Sequence, residues 1–206
     1  MAKLYFRYGA MGSAKTLNLL AVRHNYERQG KRVVLCKPAL DRRFGDDAVT
    51  SRAGITWPAD ILLGPETTLD AQDFSGVSCV LVDECQFLSV AIVEQLRELT
   101  REAGIPVLCY GLRTDFQTRL FEGSRRLMEL ADNIEEVKTT CQFCNRKAVF
   151  NLRHDAQGRA ILEGPTLLLG GDEQYSPVCY PCYREREESA RKAVSIATSS
   201  VESTVP

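Results

Sequence analysis

A loop of small residues that ends in Lys15 and Thr16 has the residue types and spacing of a phosphate-binding site. Its sequence is Gly9-Ala10-Met11-Gly12-Ser13-Ala14-Lys15-Thr16. The loop follows an apolar run at residues 4–6 and opens an amphipathic segment at residues 17–26. A strand, a small-residue loop, Lys-Thr and a helix form a P-loop, whose backbone N–H groups face an anion. We therefore expect a nucleoside triphosphate, with the Lys15 charge and the Thr16 hydroxyl beside its phosphates and Mg²⁺.

The loop departs at one position from the pattern G-x-x-x-x-G-K-[ST], since Ala14 stands where the pattern has Gly. Glycine permits backbone dihedral angles and a close phosphate approach that a Cβ restricts. Alanine is the smallest possible departure, so we expect Ala14→Gly to leave activity equal or higher. The alternative to a P-loop is an ordinary strand-to-helix turn with a surface lysine.

Two adjacent carboxylates, Asp83 and Glu84, end the apolar run at residues 79–82. In P-loop proteins, a carboxylate at the end of a neighbouring strand holds Mg²⁺ beside the phosphates, and Asp83 fits that role. Glu84 is the natural candidate base for an attacking hydroxyl. Both groups can reach the crevice at the carboxyl ends of the strands, where ligands of open α/β sheets bind. The alternative is a solvated strand end.

Eight cysteines form two groups. One group lies in or beside apolar runs and is typical of small buried side chains: Cys36, Cys79, Cys85 and Cys109. The other group forms two C-x-x-C pairs, which suit tetrahedral zinc ligation: Cys141, Cys144, Cys179 and Cys182. We expect a closed, structural zinc site that anchors both ends of the intervening loop. Four unrelated thiols or a redox pair are the alternative.

The composition excludes several classes of protein. The chain has 206 residues, 44% hydrophobic residues and a net charge of −1, which argues against a nucleic-acid-binding surface spread over the whole protein. No apolar stretch approaches the roughly 20 residues of a membrane span, and no signal peptide is visible. We expect a cytoplasmic protein with no membrane or nucleic-acid partner.

Apolar runs alternate with helical patterns along the first two thirds of the chain. The runs predict strands at residues 4–6, 32–36, 79–82, 106–110 and 134–137, and the helical patterns cover residues 16–28, 90–101 and 122–131. Strand and helix in alternation predict an α/β fold, a P-loop NTPase-like mostly parallel sheet flanked by helices. Residues 41–76 and 155–176 lack clear periodicity. From about Glu185 we expect a short helix and then a frayed tail.

Several motifs in order along the chain resemble one family. Asp83-Glu84-Cys85-Gln86-Phe87 is similar to the D-E-x-Q-F signature of type II thymidine kinases, the zinc-carrying cytosolic class. The resemblance extends to about residue 184, and the bacterial branch is the most similar. It also covers the P-loop, residues 41–44, residues 110–117, both Cys pairs and residues 170–175.

The resemblance implies a reaction, transfer of the γ-phosphate of ATP to the 5′-hydroxyl of thymidine, with Glu84 as the base. It assigns ATP and Mg²⁺ to the whole P-loop, residues 9–16, together with Asp41, Arg43, Asp83, Glu84, Cys85 and Gln86. It assigns the thymine base to Met11, Phe87, Leu112, Phe116 and Tyr175. A loop at about residues 164–175 would close over the nucleoside as a lid.

The resemblance also implies three domains and an assembly. Residues 1–138 would form the P-loop kinase domain, residues 139–184 a small zinc-ribbon-like domain carrying the lid, and residues 185–206 a partly disordered tail. A homotetramer and feedback inhibition by thymidine triphosphate at the active site are also implied.

Two alternatives to a thymidine kinase are open from the residues alone. One is a P-loop ATPase or nucleotide-gated regulator whose zinc ribbon binds nucleic acid, although basic and acidic residues are equal in number over residues 141–182. The other is a kinase for another deoxynucleoside, because only the resemblance selects thymidine.

Overall fold

A computed structural model gives the fold of residues 2–41, 47–166 and 174–202, with side chains described up to residue 193. Within these residues there are ten strands. They are β1 (Leu4–Tyr8), β2 (Arg32–Pro38), β3 (Ala48–Thr50), β4 (Thr56–Pro58), β5 (Ile61–Leu63), β6 (Val77–Val82), β7 (Val107–Gly111), β8 (Asn133–Glu136), β9 (Phe150–Arg153) and β10 (Tyr175–Val178). The α-helices are α1 (Lys15–Glu27), α2 (Val90–Glu102), α3 (Glu122–Leu130) and α4 (Tyr180–Glu202). Short 3₁₀ turns lie at Ala71–Phe74 and Cys85–Phe87.

Six strands form one parallel sheet in the order β5-β2-β6-β7-β1-β8. Helix α1 packs on one face, where Leu19 and Leu20 meet Leu35 and Leu81. Helices α2 and α3 cover the other face. Because both faces are covered, the central strands are nearly continuous apolar runs. The predicted α/β class and the five predicted strands are confirmed, although β8 lies at the edge of the sheet and not in its core.

The helix boundaries follow local signals. The Ser89 hydroxyl caps α2 by accepting from the N–H of Ile92 at 3.4 Å. The predicted stops after α1 and α2 are glycines with positive φ, 70° at Gly30 and 66° at Gly104. This left-handed conformation ends a helix at little steric cost for glycine.

Residues 47–76, the described part of the segment without periodicity, are more structured than the sequence indicated. Strands β3 and β4 form an antiparallel pair, and β5 pairs with β2 as the edge strand of the sheet. Each of these strands has three residues, which is too short to show a period of two in the sequence. The lack of periodicity in these residues therefore comes from the shortness of their strands.

A small lobe follows the sheet. Its antiparallel pair β9–β10 packs with the start of α4 around Leu152, Val178 and Tyr183. Helix α4 begins at Tyr180 and runs to Glu202, so it is longer than the sequence indicated. Among the described residues, no helix combines the length and the apolar character needed to cross a membrane.

Candidate active site and metal centre

The P-loop connects β1 to α1 at the carboxyl edge of the sheet. The N–H of Gly9 donates to the carbonyl oxygen of Gly111 in β7 at 3.2 Å, which fixes the start of the loop. A Cβ at Gly9 would lie 2.3 Å from the carbonyl oxygen of Val137. Only glycine fits there, because real Cβ atoms do not approach an oxygen so closely.

Ala14 adopts the left-handed conformation, with φ 62° and ψ 28°. Glycine reaches this region freely, whereas an L-residue with a Cβ is strained there. The structure thus gives the physical reason for the glycine in the P-loop pattern. Ala14 is exposed, so its methyl group has space even though its backbone is strained.

Lys15 and Thr16 begin α1 and face the loop and the end of β6. The Lys15 ammonium donates to the carbonyl oxygen of Ala10 at 3.1 Å. Burial lowers the pKa of Lys15, and the carboxylates of Glu84 and Asp83 oppose that decrease. The lysine charge is therefore placed inside the loop, beside the carboxylates.

Asp83 is buried at the end of β6 and accepts a hydrogen bond of 3.0 Å from the Thr16 hydroxyl. Burial, followed by the charge of Glu84, raises the pKa of Asp83 to about 7, and the Thr16 hydrogen bond opposes the increase. A hydroxyl and a carboxylate oxygen side by side are the hard donors that Mg²⁺ prefers. These two residues fit a magnesium ion beside the phosphates.

Glu84 has a left-handed backbone, with φ 50° and ψ 36°. Its carboxylate accepts from the Nε2 amide of Gln86, and Oε1 of Gln86 accepts from the N–H of Leu112 at 2.9 Å. Gln86 is buried and so holds Glu84 and Leu112 in fixed relation. A non-glycine residue with positive φ costs about 1–3 kcal/mol, and such strain clusters at functional sites.

The four cysteines of the two C-x-x-C pairs meet in the small lobe and form a four-cysteine cluster. Their sulfur atoms all lie within 4.8 Å of one another: Cys141, Cys144, Cys179 and Cys182. The Sγ of Cys144 is 3.6 Å from that of Cys179 and 3.8 Å from that of Cys182. Tetrahedral zinc with Zn–S bonds near 2.3 Å requires S···S distances of about 3.8 Å. The donor set fits a closed zinc site.

One thiol of this four-cysteine cluster already favours the form that binds metal. Burial raises the pKa of Cys141, but hydrogen bonds from the backbone N–H groups of Cys179 and Phe143, together with neighbouring thiols, bring it down to about 6. Thiolates, not thiols, ligate metals. The backbone of the cluster therefore prepares a ligand.

Sequence comparisons identify the family. A family model described as thymidine kinase matches residues 2–183. A thymidine kinase of Chromobacterium violaceum is 44% identical over 183 residues, covering 89% of this chain and 98% of the relative. One from Streptococcus pyogenes serotype M28 is 45% identical over 185 residues, with 89% and 97% covered. The chain belongs to the thymidine kinase family. It is therefore an enzyme of the kinase class, as the D-E-x-Q-F signature predicted.

Solved structures add a distant likeness. A Pif1 helicase from Candida albicans is 10% identical with a TM-score of 0.40, over 66% of this chain and 36% of that chain. A Bacteroides Pif1 bound to single-stranded DNA is 16% identical with a TM-score of 0.37, over 66% and 38%. The chain thus spans little more than a third of these helicase chains, and scores this low carry no argument about its activity.

The residues predicted to surround thymine in this thymidine kinase family member come from both the sheet domain and the small lobe. Phe87 packs edge-to-face with Phe121 at 5.7 Å between centroids. Phe116 is buried, and the Arg153 guanidinium of β9 lies 5.2 Å from the centre of its ring. Tyr175 pairs with Arg153 across β9–β10. Arg153, which no sequence motif indicated, thus contacts Phe116 through its side chain and pairs with Tyr175 through its backbone.

Two of the residues that the resemblance assigns to ATP, Asp41 and Cys85, are buried. Asp41 is buried, and its carboxylate lies 3.9 Å from the ammonium of the buried Lys37. Arg43 lies outside the described residues. Cys85 belongs to the core, where burial raises the pKa of its thiol well above the ordinary value.

A buried residue of the small lobe also reaches the P-loop. The side-chain oxygen of Asn151 in β9 accepts from the N–H of Met11 at 2.8 Å. The two residues are 140 positions apart, so no local pattern in the sequence indicates the contact. Met11, assigned to both ATP and thymine, therefore lies where the sheet and the small lobe meet.

Proposed function

We propose that this kinase transfers the γ-phosphate of ATP to the 5′-hydroxyl of thymidine, giving thymidine monophosphate for DNA synthesis. The observation that carries the proposal is the hydrogen bond from Thr16 to Asp83. It brings the P-loop and the carboxylate pair Asp83–Glu84 to one edge of the sheet in a chain of the thymidine kinase family. Phosphoryl transfer depends mainly on such positioning and on neutralised charge.

The polar and charged residues of the site have three separate roles in this proposal: phosphate binding, Mg²⁺ binding and acceptance of a proton. The P-loop N–H groups and Lys15 hold the phosphates, and Arg43 adds a second positive charge. Thr16 and Asp83 hold Mg²⁺, which neutralises charge on the phosphate oxygens when it is bound. Glu84 accepts the proton of the thymidine 5′-hydroxyl late in the transfer. The hydrogen bond that Gln86 donates to this carboxylate restricts its movement.

The nucleoside lies between the sheet and the small lobe in this proposal. Met11, Phe87, Leu112, Phe116 and Tyr175 surround the thymine base. Residues 164–175 form a lid over it, and most of that lid lies outside the described residues. The contact of Arg153 with Phe116 and its 3.1 Å hydrogen bond to the carbonyl oxygen of Pro165 support a site at this junction.

Zinc in the four-cysteine cluster has a structural role in this proposal and takes no part in the chemistry. Four thiolates close the coordination shell, so no position is open for substrate. Residues 139–184 form the zinc-binding unit with the lid, residues 1–138 the kinase domain and residues 185–206 a C-terminal tail that continues from the start of α4. The family resemblance further supports a cytoplasmic homotetramer that thymidine triphosphate inhibits at the active site.

Transfer of labelled γ-phosphate from Mg²⁺–ATP tests the proposal. Purified protein is given thymidine, deoxyuridine, deoxycytidine or deoxyguanosine, and the labelled monophosphate is quantified. We expect thymidine to be the best acceptor. Faster turnover of deoxycytidine would overturn the substrate, and ATP binding without a labelled product would overturn the reaction.

A further inference from the structure

The contact between Asn151 and Met11 joins two parts of the chain that serve different ligands. Asn151 is 4% exposed, and its Oδ1 accepts from the Met11 N–H at 2.8 Å. This N–H already has a partner, so it is not one of the donors left for phosphate. A buried hydrogen bond of this kind fixes the orientation of one peptide unit of the loop.

A second contact supports the same junction. The guanidinium of Arg113 lies 5.6 Å from the ring centre of Tyr8 and 5.6 Å from that of Phe150. Tyr8 immediately precedes the P-loop, and Phe150 immediately precedes Asn151. The cation therefore bridges the two rings on either side of the junction.

The junction is connected to the four-cysteine cluster through the hairpin β9–β10. Asn151 pairs with Pro177, which lies two residues before Cys179. The ring of Phe150 packs at 5.7 Å from that of Tyr183, which follows Cys182 directly. A continuous set of packed and hydrogen-bonded groups thus runs from the metal ligands to the nucleotide loop.

We propose that Asn151 is a positioning residue that couples the four-cysteine cluster to the P-loop. Metal in the cluster holds the hairpin, the hairpin holds the Asn151 carboxamide, and the carboxamide holds the Met11 peptide in the shape that binds nucleotide. The inference rests on the proposed function in one respect, since it takes ATP as the ligand of the P-loop. It extends that function by making ATP affinity dependent on zinc.

The size of the expected effect follows from the energy of one hydrogen bond. A neutral hydrogen bond contributes about 1 kcal/mol, so its loss changes an affinity by about fivefold. Asn151→Ala should therefore weaken the binding of an ATP analogue by about fivefold while zinc remains bound. Loss of zinc should weaken nucleotide binding through the same contact.

The experiment compares wild type, Asn151→Ala, Cys144→Ser and the double variant. Binding of a non-hydrolysable ATP analogue with Mg²⁺ is measured by calorimetry without thymidine, and zinc content is measured on the same samples. Asn145→Ala is the matched control, because Asn145 is an exposed asparagine of the same lobe. We expect it to bind nucleotide and zinc as the wild type does.

The double variant decides whether the coupling passes through Asn151. If it does, Cys144→Ser weakens nucleotide binding about fivefold in the wild-type background and adds little in the Asn151→Ala background, because the contact is already lost. Equal losses in both backgrounds would overturn the assignment to Asn151. An unchanged affinity in Cys144→Ser would overturn the coupling itself.

Hydrogen exchange at Met11 gives a measurement that does not depend on the folding of the Asn151 variant. We expect the Met11 amide of the zinc-loaded wild type to be protected and to lose that protection when zinc is removed. Protection that survives zinc removal would contradict the inference. If the wild type binds no nucleotide, both the proposed function and the coupling are wrong. If it phosphorylates thymidine but its affinity for ATP does not depend on zinc, only the coupling is wrong.

Discussion

The Thr16 hydroxyl donates a hydrogen bond of 3.0 Å to the Oδ2 atom of Asp83, although the two residues lie 67 positions apart. This bond closes the P-loop against the end of β6, a strand that β7 separates from β1. It also helps to compensate a carboxyl group that is buried beside a second carboxylate, Glu84. The site thus carries an electrostatic cost in the absence of a cation, and that cost should depend on pH.

Asp83→Asn should reveal this cost in metal-free protein. Burial and the Glu84 charge raise the pKa of Asp83 from 3.8 to about 7. Between pH 3.8 and about pH 7, Asp83 has lost its proton in the unfolded chain but keeps it in the folded chain. The free energy of unfolding that this group contributes therefore falls as pH rises through that range. It falls no further above about pH 7. The variant cannot ionise. We measure the free energy of unfolding of both proteins in urea. The value for the variant minus that for wild type should rise from about pH 5 to about pH 7 and then stay constant.

Asp155→Asn is the control for that titration. The N–H of Arg159 donates to Asp155 and lowers the pKa of this half-buried carboxyl. Its contribution is lost only as pH falls below about 4, so it should give no slope between about pH 5 and about pH 8. A stability difference for Asp83→Asn that stays constant over this range would contradict the burial argument.

Glu84→Gln should separate catalysis from binding. The substitution keeps the side-chain shape and removes the proton acceptor, which general-base catalysis predicts will lower kcat by about 10² to 10⁴. Affinity for Mg²⁺–ATP should change far less. Glu135→Gln, at an exposed glutamate in the edge strand β8 that pairs with Arg7, should keep full kcat. Equal kcat in Glu84→Gln and wild type would remove Glu84 from the base role.

The local motifs were predictable from the sequence because each one lies on a few consecutive residues. The P-loop, the carboxylate pair Asp83–Glu84 and the two C-x-x-C pairs each have a characteristic spacing. The parallel arrangement then brings the loop after β1 and the end of β6 to the same edge of the sheet. Meeting of the four cysteines was a prediction that the described geometry confirms.

The contacts that hold these motifs together were not predictable. Asn151 with Met11, Arg153 with Phe116, and Lys37 with Asp41 join residues whose relation depends on packing rather than on a local pattern. The edge strand β5 has only three residues, so no periodicity could indicate it. The strained backbone at Glu84 is likewise a property of the assembled site, since glutamate has no preference for positive φ.

Ala14→Gly should relieve strain in the P-loop. The left-handed φ of 62° costs an alanine about 1 kcal/mol or more, while glycine adds an unfolded-state entropy cost of about 0.4–1 kcal/mol. We expect stability and kcat/KM equal to or above those of wild type. Ala21→Gly, on an exposed helical turn of α1, is the matched control and should cost about 0.5–1 kcal/mol. A large loss of activity in Ala14→Gly would refute this account of the loop.

Replacing Cys141 and Cys144 by serine should unfold the small lobe. Its buried apolar cluster is small and includes two of the cysteines themselves, so metal binding supplies much of the folding free energy. We expect loss of zinc, loss of amide protection in β9–β10 and a rise in the KM for thymidine of about tenfold or more. Cys79→Ser, at a cysteine of the sheet that is not a predicted ligand, is the control and should leave the zinc bound in the four-cysteine cluster. If the variant with both Cys141→Ser and Cys144→Ser is active and normally folded, the proposed structural role of zinc is wrong.

Gly111→Ala should disturb the base without touching it. A Cβ at Gly111 would lie 2.4 Å from Oε1 of Gln86 and 2.7 Å from Sγ of Cys85. Gln86 must then move, and with it the hydrogen bonds to Glu84 and to the N–H of Leu112. Overpacking of this kind costs about 1–3 kcal/mol of stability. Because the displaced group orients the proposed base, kcat should fall more than the affinity for ATP.

Gly64→Ala distinguishes that effect from a general intolerance of alanine. A Cβ at Gly64 would have its nearest neighbours at 3.8 Å, in ordinary van der Waals contact, and its φ is not in the left-handed range. The control should therefore retain both stability and kcat. Steady-state kinetics with urea unfolding on the two variants makes the comparison. If Gly111→Ala loses stability but keeps its kcat, Gln86 does not position Glu84, because the base works equally well after its partner has moved.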